Sequence, residues 1–207
     1  MDILTLITVV GGIILTIGYL PQLVKLKQTK DTNGISMLFW YLIALAVSIT
    51  AINLILDSAP LVLIIIQVVN ATLAIVVLLT VHLLRQQYLW MFSPTIILIG
   101  IILLSNILPL EVTQTVASVA IVTAYISQLV VLFVSRNVSG VSPTLYLLIA
   151  LGLAIMATKM FVTEVSLYII ITELINIGLL LLCAGAFFYQ SKRSVVITIN
   201  EEPQKVN

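Results

Sequence analysis

A chain of 207 residues with a net charge of +1, 61% hydrophobic and only 8% charged side chains lacks the polar surface of a soluble domain, which carries roughly 25% charged residues. Its mean hydropathy of +1.26 makes lipid the solvent over most of the molecule, and so small a charge leaves no electrostatic case for nucleic acid. The single Cys183 lies in an apolar run, which excludes an intrachain disulfide and a cysteine metal cluster and reads as a packed thiol.

A membrane-spanning helix needs about 20 mostly apolar residues. Seven runs qualify, at about 4–24, 35–56, 60–83, 89–108, 113–134, 141–160 and 165–189. Helices are required because hydrocarbon offers no partner to a bare backbone N–H. The first run has no basic segment before it and continues into a repeated unit, so it reads as a span rather than a cleaved signal peptide. Polar separators fall at 25–33, 57–60, 85–87, 109–111, 135–140 and 158–164.

Basic residues assign the two sides. Lys25, Lys27, Lys30, Arg85, Arg136, Lys192 and Arg193 share one side; Asp2, Asp57, Glu111, Glu164 and one exception, Lys159, share the other. The N-terminus is expected outside or in a lumen, the C-terminus in the cytosol, and the protein in the plasma membrane. The sequons at Asn70 and Asn137 then lie within a span and on the cytosolic side, and neither is expected to be glycosylated. Residues 191–207 read as a flexible cytosolic tail.

The first span ends in Tyr19-Leu20-Pro21-Gln22-Leu23-Val24, and the following loop closes on Gly34-Ile35-Ser36. A shift of 106 positions brings Tyr125-Ile126-Ser127-Gln128-Leu129-Val130 and Gly140-Val141-Ser142. At the same offset Leu42-Ile43-Ala44-Leu45 meets Leu148-Ile149-Ala150-Leu151, Gln67 meets Glu173 and Asn70 meets Asn176. The polar matches at one fixed offset point to an internal duplication. The fold class expected is an all-α membrane protein of seven transmembrane helices. Its two parallel three-helix repeats, 1–83 and 111–190, are joined by an inversion linker helix at 84–110, because a unit of three spans must be re-inverted before a like-oriented copy begins.

On Pro21-Gln22, its degenerate copy Ser127-Gln128 and the repeated Gly-x-Ser, residues 3–190 resemble the PQ-loop membrane proteins. These include the SWEET and SemiSWEET sugar carriers and the cystinosin-type amino-acid exporters. The resemblance implies alternating access through a midplane site between repeats related by an axis along the membrane normal. It also implies a paired asparagine in the substrate pocket, here Asn70 and Asn176, and prolines that bend or gate the cytosolic ends, here Pro21 and Pro143 against Met37 and Ser127 at the equivalent places. SemiSWEET-like sites add a Trp where this chain has Thr50 and Met156.

The residues themselves leave readings open. Asn70 and Asn176 suit hydroxyls or a zwitterion, or bond helix to helix. Glu173, three residues before Asn176 and so on its face, is the one acid well inside a span. It reads as a proton-coupling switch, as counter-charge to an ammonium, or as a protonated structural group with Gln67 as a partner. Thr50 and Ser48 face a cavity or bond their own helix. Pro21 weakens the first span and makes a hinge, while Pro143 after Ser142 fits a first helical position. Gln22 and Gln128 would cross-link helix ends when an inner gate shuts, and Tyr19 and Tyr125 would stack there or pack at the interface. Asn53 reads as lining an outer vestibule or, first, as a helix-end residue bonded to water, His82 as a solvated interface residue, Trp90 as an interfacial anchor, and Gly11-Gly12 as close-packing positions. No phosphate loop, metal spacing or nucleophile–base pair is present in the sequence, so neither enzyme chemistry nor a cofactor is expected. The expected partners are a small polar solute, the bilayer and, through Glu173, a proton. The function expected first is a sugar carrier. An amino-acid or amine carrier comes second, and a receptor or sensor of KDEL-receptor-like architecture is the alternative from another class.

Overall fold

The computed structural model describes residues 3–135, 137–162 and 167–201. Among them every regular element is a helix: α1 (Ile3–Ile17), α2 (Leu20–Thr29), α3 (Met37–Leu56), α4 (Leu61–Leu84), a 3-10 turn at Tyr88–Phe92, α5 (Ser93–Ile107), α6 (Leu110–Val134), α7 (Pro143–Val162) and α8 (Leu167–Glu201). Seven segments are long and apolar enough to cross a bilayer: Ile3–Thr29, Met37–Leu56, Leu61–Leu84, Tyr88–Ile107, Leu110–Val134, Pro143–Val162 and Ile170–Arg193. The chain is a multi-pass, all-helical integral membrane protein. Its outward surface is what lipid requires, with large apolar side chains such as Leu89, Ile107 and Val134 exposed.

Helices pack in couples that the 106-residue offset relates. α1 against α7 matches α6 against α3; α3 against α4 matches α7 against α8; α1 against α4 matches α6 against α8. The α5 segment is the least buried span and α3 the most buried. α5 leans on α3 through a small cluster of Ala46, Ile49, Ile101, Ala117 and Ala120. Where α1 meets α7 the backbones nearly touch: a Cβ on Gly11 would stand 2.7 Å from Met156 Cγ and 3.1 Å from the Gly152 carbonyl oxygen.

The first span is broken at Gly18–Tyr19, just before Pro21. α1 stops at Ile17 and α2 begins at Leu20, because Pro21 has no N–H to continue the ladder and its ring crowds the preceding turn. Gly18 and Tyr19 close the gap with bonds to Ile14, Leu15 and Thr16 carbonyls. The equivalent α6, with Ser127 in place of the proline, runs unbroken from Leu110 to Val134. Ser36 caps α3 by accepting the Phe39 N–H at 3.1 Å, and Pro143 is the first residue of α7.

Several expectations are corrected. Residues 25–29 are not loop but the last turns of α2, which ends at Lys30 in the left-handed region; no breaker stands between Pro21 and that residue. α8 continues to Glu201, past the boundary at 191 where a flexible tail was expected, since the next proline is Pro203. His82 is 1% exposed rather than solvated. It contacts the Tyr41 hydroxyl at 2.7 Å and Gln87 Oε1 at 3.2 Å. Asn53 is also buried and bonds α6: its amide donates to Gln114 Oε1 at 3.2 Å and its oxygen accepts from Thr113 Oγ1 at 3.0 Å, on the wall of a cavity at that end. Asp2, Arg136, Glu164, the start of the seventh run at 165 and residues 202–207 lie outside the described residues.

Contacts between loops sort the helix ends. Arg85 donates to the hydroxyl and carbonyl of Thr32 and to the Ile35 carbonyl. Asp31 accepts from the Ser139 hydroxyl, and Gln190 donates to the Phe133 carbonyl. One end of the bundle therefore gathers Lys25, Lys27, Lys30, Arg85 and the end of α8; the other gathers Asp57 and Glu111. We call them the basic and acidic ends.

Candidate functional site

At the basic end the two halves of the chain hold one another through a reciprocal pair of amides. Gln22 Nε2 donates to the Gly140 carbonyl at 2.8 Å, and Gln22 Oε1 accepts the Ser142 N–H at 2.9 Å. Gln128 Nε2 donates to the Gly34 carbonyl at 2.7 Å, and Gln128 Oε1 accepts the Ser36 N–H at 2.9 Å. A carboxamide carries one acceptor beside its donors, so it fits a backbone edge that shows C=O and N–H two residues apart. That is what Gly-x-Ser presents. The glycines allow the approach: a Cβ at Gly140 would lie 2.5 Å from the Asp31 carbonyl oxygen, and at Gly34, with φ +79°, 2.9 Å from Val138 Cα. Both glutamines are 1% exposed.

Further contacts cross the same seam. Gly140 N–H reaches the Asn33 carbonyl at 3.2 Å, Ser36 and Ser127 hydroxyls meet at 3.2 Å, and Ser139 bonds Asp31. Partial burial pushes the Asp31 carboxyl up, but hydrogen bonds from Ser139, Asn33 and Thr32 outweigh it, and its pKa lies below the usual carboxylate value. A depressed folded pKa means that this contact's contribution is complete above the ordinary carboxylate pKa of about 3.9 and is lost as pH falls through the folded value. Amide exchange in loop 31–36, corrected for intrinsic rate, is therefore expected to stay flat from pH 8 to 5 and to rise only below about pH 4. Asp31→Asn is expected to remove that low-pH rise, and a rise between pH 7 and 6 would contradict the assignment.

Next along the bundle from this seam lies a layer of buried rings. Trp40 stands 6.1 Å from Tyr19 and 5.0 Å from Phe39, and Phe39 stands 5.9 Å from Tyr125 and 6.5 Å from Tyr146. Tyr19 with Tyr125 and Trp40 with Tyr146 are repeat equivalents by number. The amide pair and the ring layer together fill the basic end between the two halves with buried side chains. Sequence reading singled out the two glutamines, the two tyrosines and the Gly-x-Ser loops, but not that each glutamine reaches the opposite copy's loop. Trp40 and Tyr146 share the offset, a signal that was open to reading. Nothing in the sequence announced the Asp31–Ser139 contact.

The membrane-depth candidates sit on α4 and α8. Asn70 and Asn176 are 7% and 3% exposed, and Oδ1 of each is buried with no partner; with both oxygens unpartnered, the two do not bond one another. Asn176 donates to the Glu173 carboxyl, while Glu173 Oε2 is buried and unpartnered. Gln67 donates to the Val47 carbonyl at 3.2 Å and does not pair with Glu173. A buried acceptor left without a donor costs about 1–3 kcal/mol; there is one such oxygen on α4, from Asn70, and two on α8, from Glu173 and Asn176, and a donor-bearing ligand or water at each would remove that cost.

At the acidic end a cavity of about 580 Å³ opens between α3 and α6, lined among others by Thr50, Asn53, Asp57, Glu111, Gln114 and Ser118. Thr50 Oγ1 donates to the Ala46 carbonyl at 3.1 Å while its side chain stays on the cavity wall. Among the described residues the cavity lining includes none of Gln67, Asn70, Glu173 and Asn176. Thr50 is thus separate from the α4 and α8 set.

Residues 3–63 match the family described as PQ loop repeat, a stretch that holds Pro21-Gln22, the first Gly-x-Ser and all of α3. No curated protein and no solved structure matches the chain.

Proposed function

We propose that this chain, a multi-pass membrane protein carrying a PQ loop repeat at residues 3–63, is a carrier that passes a small polar solute across the bilayer by alternating access. The observation that carries the reading is the contrast between its ends: the basic end is sealed by the Gln22 and Gln128 bonds, and the acidic end is hollow. A protein sealed on one side and open on the other is half of an alternating-access cycle. In this reading the two halves are like-oriented repeats, Asn70 and Asn176 hold the solute between them, and Thr50 lies on its way in. Release follows when the Gln22 and Gln128 bonds part and the Tyr19 and Tyr125 rings separate, with the break at Gly18–Tyr19 before Pro21 as the hinge. The N-terminus faces outward and the basic end the cytosol, where Lys and Arg accumulate, in a plasma membrane.

A sugar is the first solute in this reading, its hydroxyls donating to the unpartnered amide oxygens. A second reading, an amino acid or amine, is favoured by Glu173 Oε2, a carboxyl oxygen buried without a donor. A carboxyl at this depth also serves to couple flux to protons. Uptake into proteoliposomes is then expected to rise several-fold with an imposed pH gradient, and Glu173→Gln to remove the response; an unchanged response in the variant would reject coupling. Counter-flow of labelled solute separates a carrier from a sensor of the KDEL-receptor kind, because a sensor binds without exchange. A panel of sugars and amino acids that stabilises the protein in a thermal-shift assay but shows no counter-flow would overturn the carrier reading.

A further inference from the structure

The groove between α2 and α4 at the basic end belongs to none of the features above. It has a volume of about 390 Å³ and is lined by Leu23, Leu26, Lys27, Lys30, Thr80 and Leu84. Leu23, Leu26, Lys27 and Lys30 fall at helical spacing on one side of α2. The leucines make an apolar wall. The two lysines are exposed on its rim, no carboxylate lines it, and neither lysine makes an ion pair among the described residues. Its depth is that of the headgroup boundary, because the spans Ile3–Thr29 and Leu61–Leu84 both end there.

We propose that this groove binds an anionic phospholipid of the leaflet at the basic end, its phosphate between Lys27 and Lys30 and an acyl chain along Leu23 and Leu84, over a floor backed by the fully buried Leu26. An ammonium on a flexible stem is a good point-charge partner for phosphate, and each lysine near an anionic membrane surface adds favourable attraction. The apolar wall requires a chain, which free phosphate lacks. Position gives the site a consequence. α2 is the short helix beyond the break at Gly18–Tyr19, and it carries Gln22. A lipid lodged between α2 and α4 holds α2 in the pose in which Gln22 reaches Gly140.

The test uses the full chain in nanodiscs of phosphatidylcholine with a rising fraction of phosphatidylglycerol, read by thermal unfolding. The wild type is expected to gain stability with saturation, and Lys27→Gln with Lys30→Gln to need roughly tenfold more anionic lipid for the same gain. Lys192→Gln with Arg193→Gln removes the same charge from the same end and is expected to leave the titration unchanged. Glycerol phosphate in solution is expected to stabilise neither protein. Equal responses in the wild type and the lysine variant, an equal loss in the Lys192/Arg193 control, or full stabilisation by glycerol phosphate would each overturn the site. The variant's unfolding in pure phosphatidylcholine supplies its own baseline, so a general loss of stability is read separately.

Discussion

Asn176→Ala is expected to lower solute uptake into proteoliposomes by roughly 30- to 100-fold while leaving thermal stability equal or slightly raised. The two halves of that expectation come from one observation. Asn176 Oδ1 is buried without a partner, so in the empty protein it costs stability; truncation removes that cost but also the amide's bond to the Glu173 carboxyl, and the two changes, each about 1–3 kcal/mol, offset. With solute bound the same oxygen gains a donor, and the loss of that bond together with the orientation of Glu173 amounts to about 2–3 kcal/mol, each 1.4 kcal/mol being tenfold. Asn70→Ala should behave alike, since Asn70 Oδ1 is also buried and unpartnered. The opposite pattern, a fall in melting temperature with flux retained, is what interhelical bonding would produce, and it would remove these amides from the site.

The second large effect is expected at the Gln22 and Gln128 amides. Gln128→Ala leaves the Gly34 carbonyl and the Ser36 N–H without their partner, and Gln22→Ala does the same to Gly140 and Ser142. Two buried backbone groups at about 1–3 kcal/mol each shift the sealed state by roughly 30-fold or more. The pattern should be crossed: hydrogen exchange rises at 34–39 for Gln128→Ala and at 140–145 for Gln22→Ala. Exchange that rises only near the mutated helix would refute the crossing. Gly140→Ala should open the seam more completely, because its Cβ would meet the Asp31 backbone, which has no flexible end to yield.

Much of this was legible in one dimension. The run lengths predict seven spans, and Pro21 predicts the weak point of the first, because both depend on local rules: hydrocarbon demands an unbroken ladder, and proline interrupts one. Polarity at 25–29 reads as a loop, whereas a helix needs only that nothing break it, and α2 runs on to Thr29. Standing near helix ends, His82 reads as solvated and Asn53 as bonded to water or lining a vestibule; the burial of both depends on which neighbours arrive there, Tyr41 and Gln87 for one and Thr113 and Gln114 for the other.

The sequence by itself determined the solvent, the number of crossings and the polar residues that recur at one offset, since composition and spacing are properties of the chain alone. Only the tertiary structure decided that Gln22 answers Gly140 and Gln128 answers Gly34, that a cavity opens between α3 and α6 at the acidic end, and that Gln67 turns to Val47 rather than to Glu173. A hydrogen bond between residues more than ninety positions apart is fixed by how helices pack. No local propensity specifies that packing.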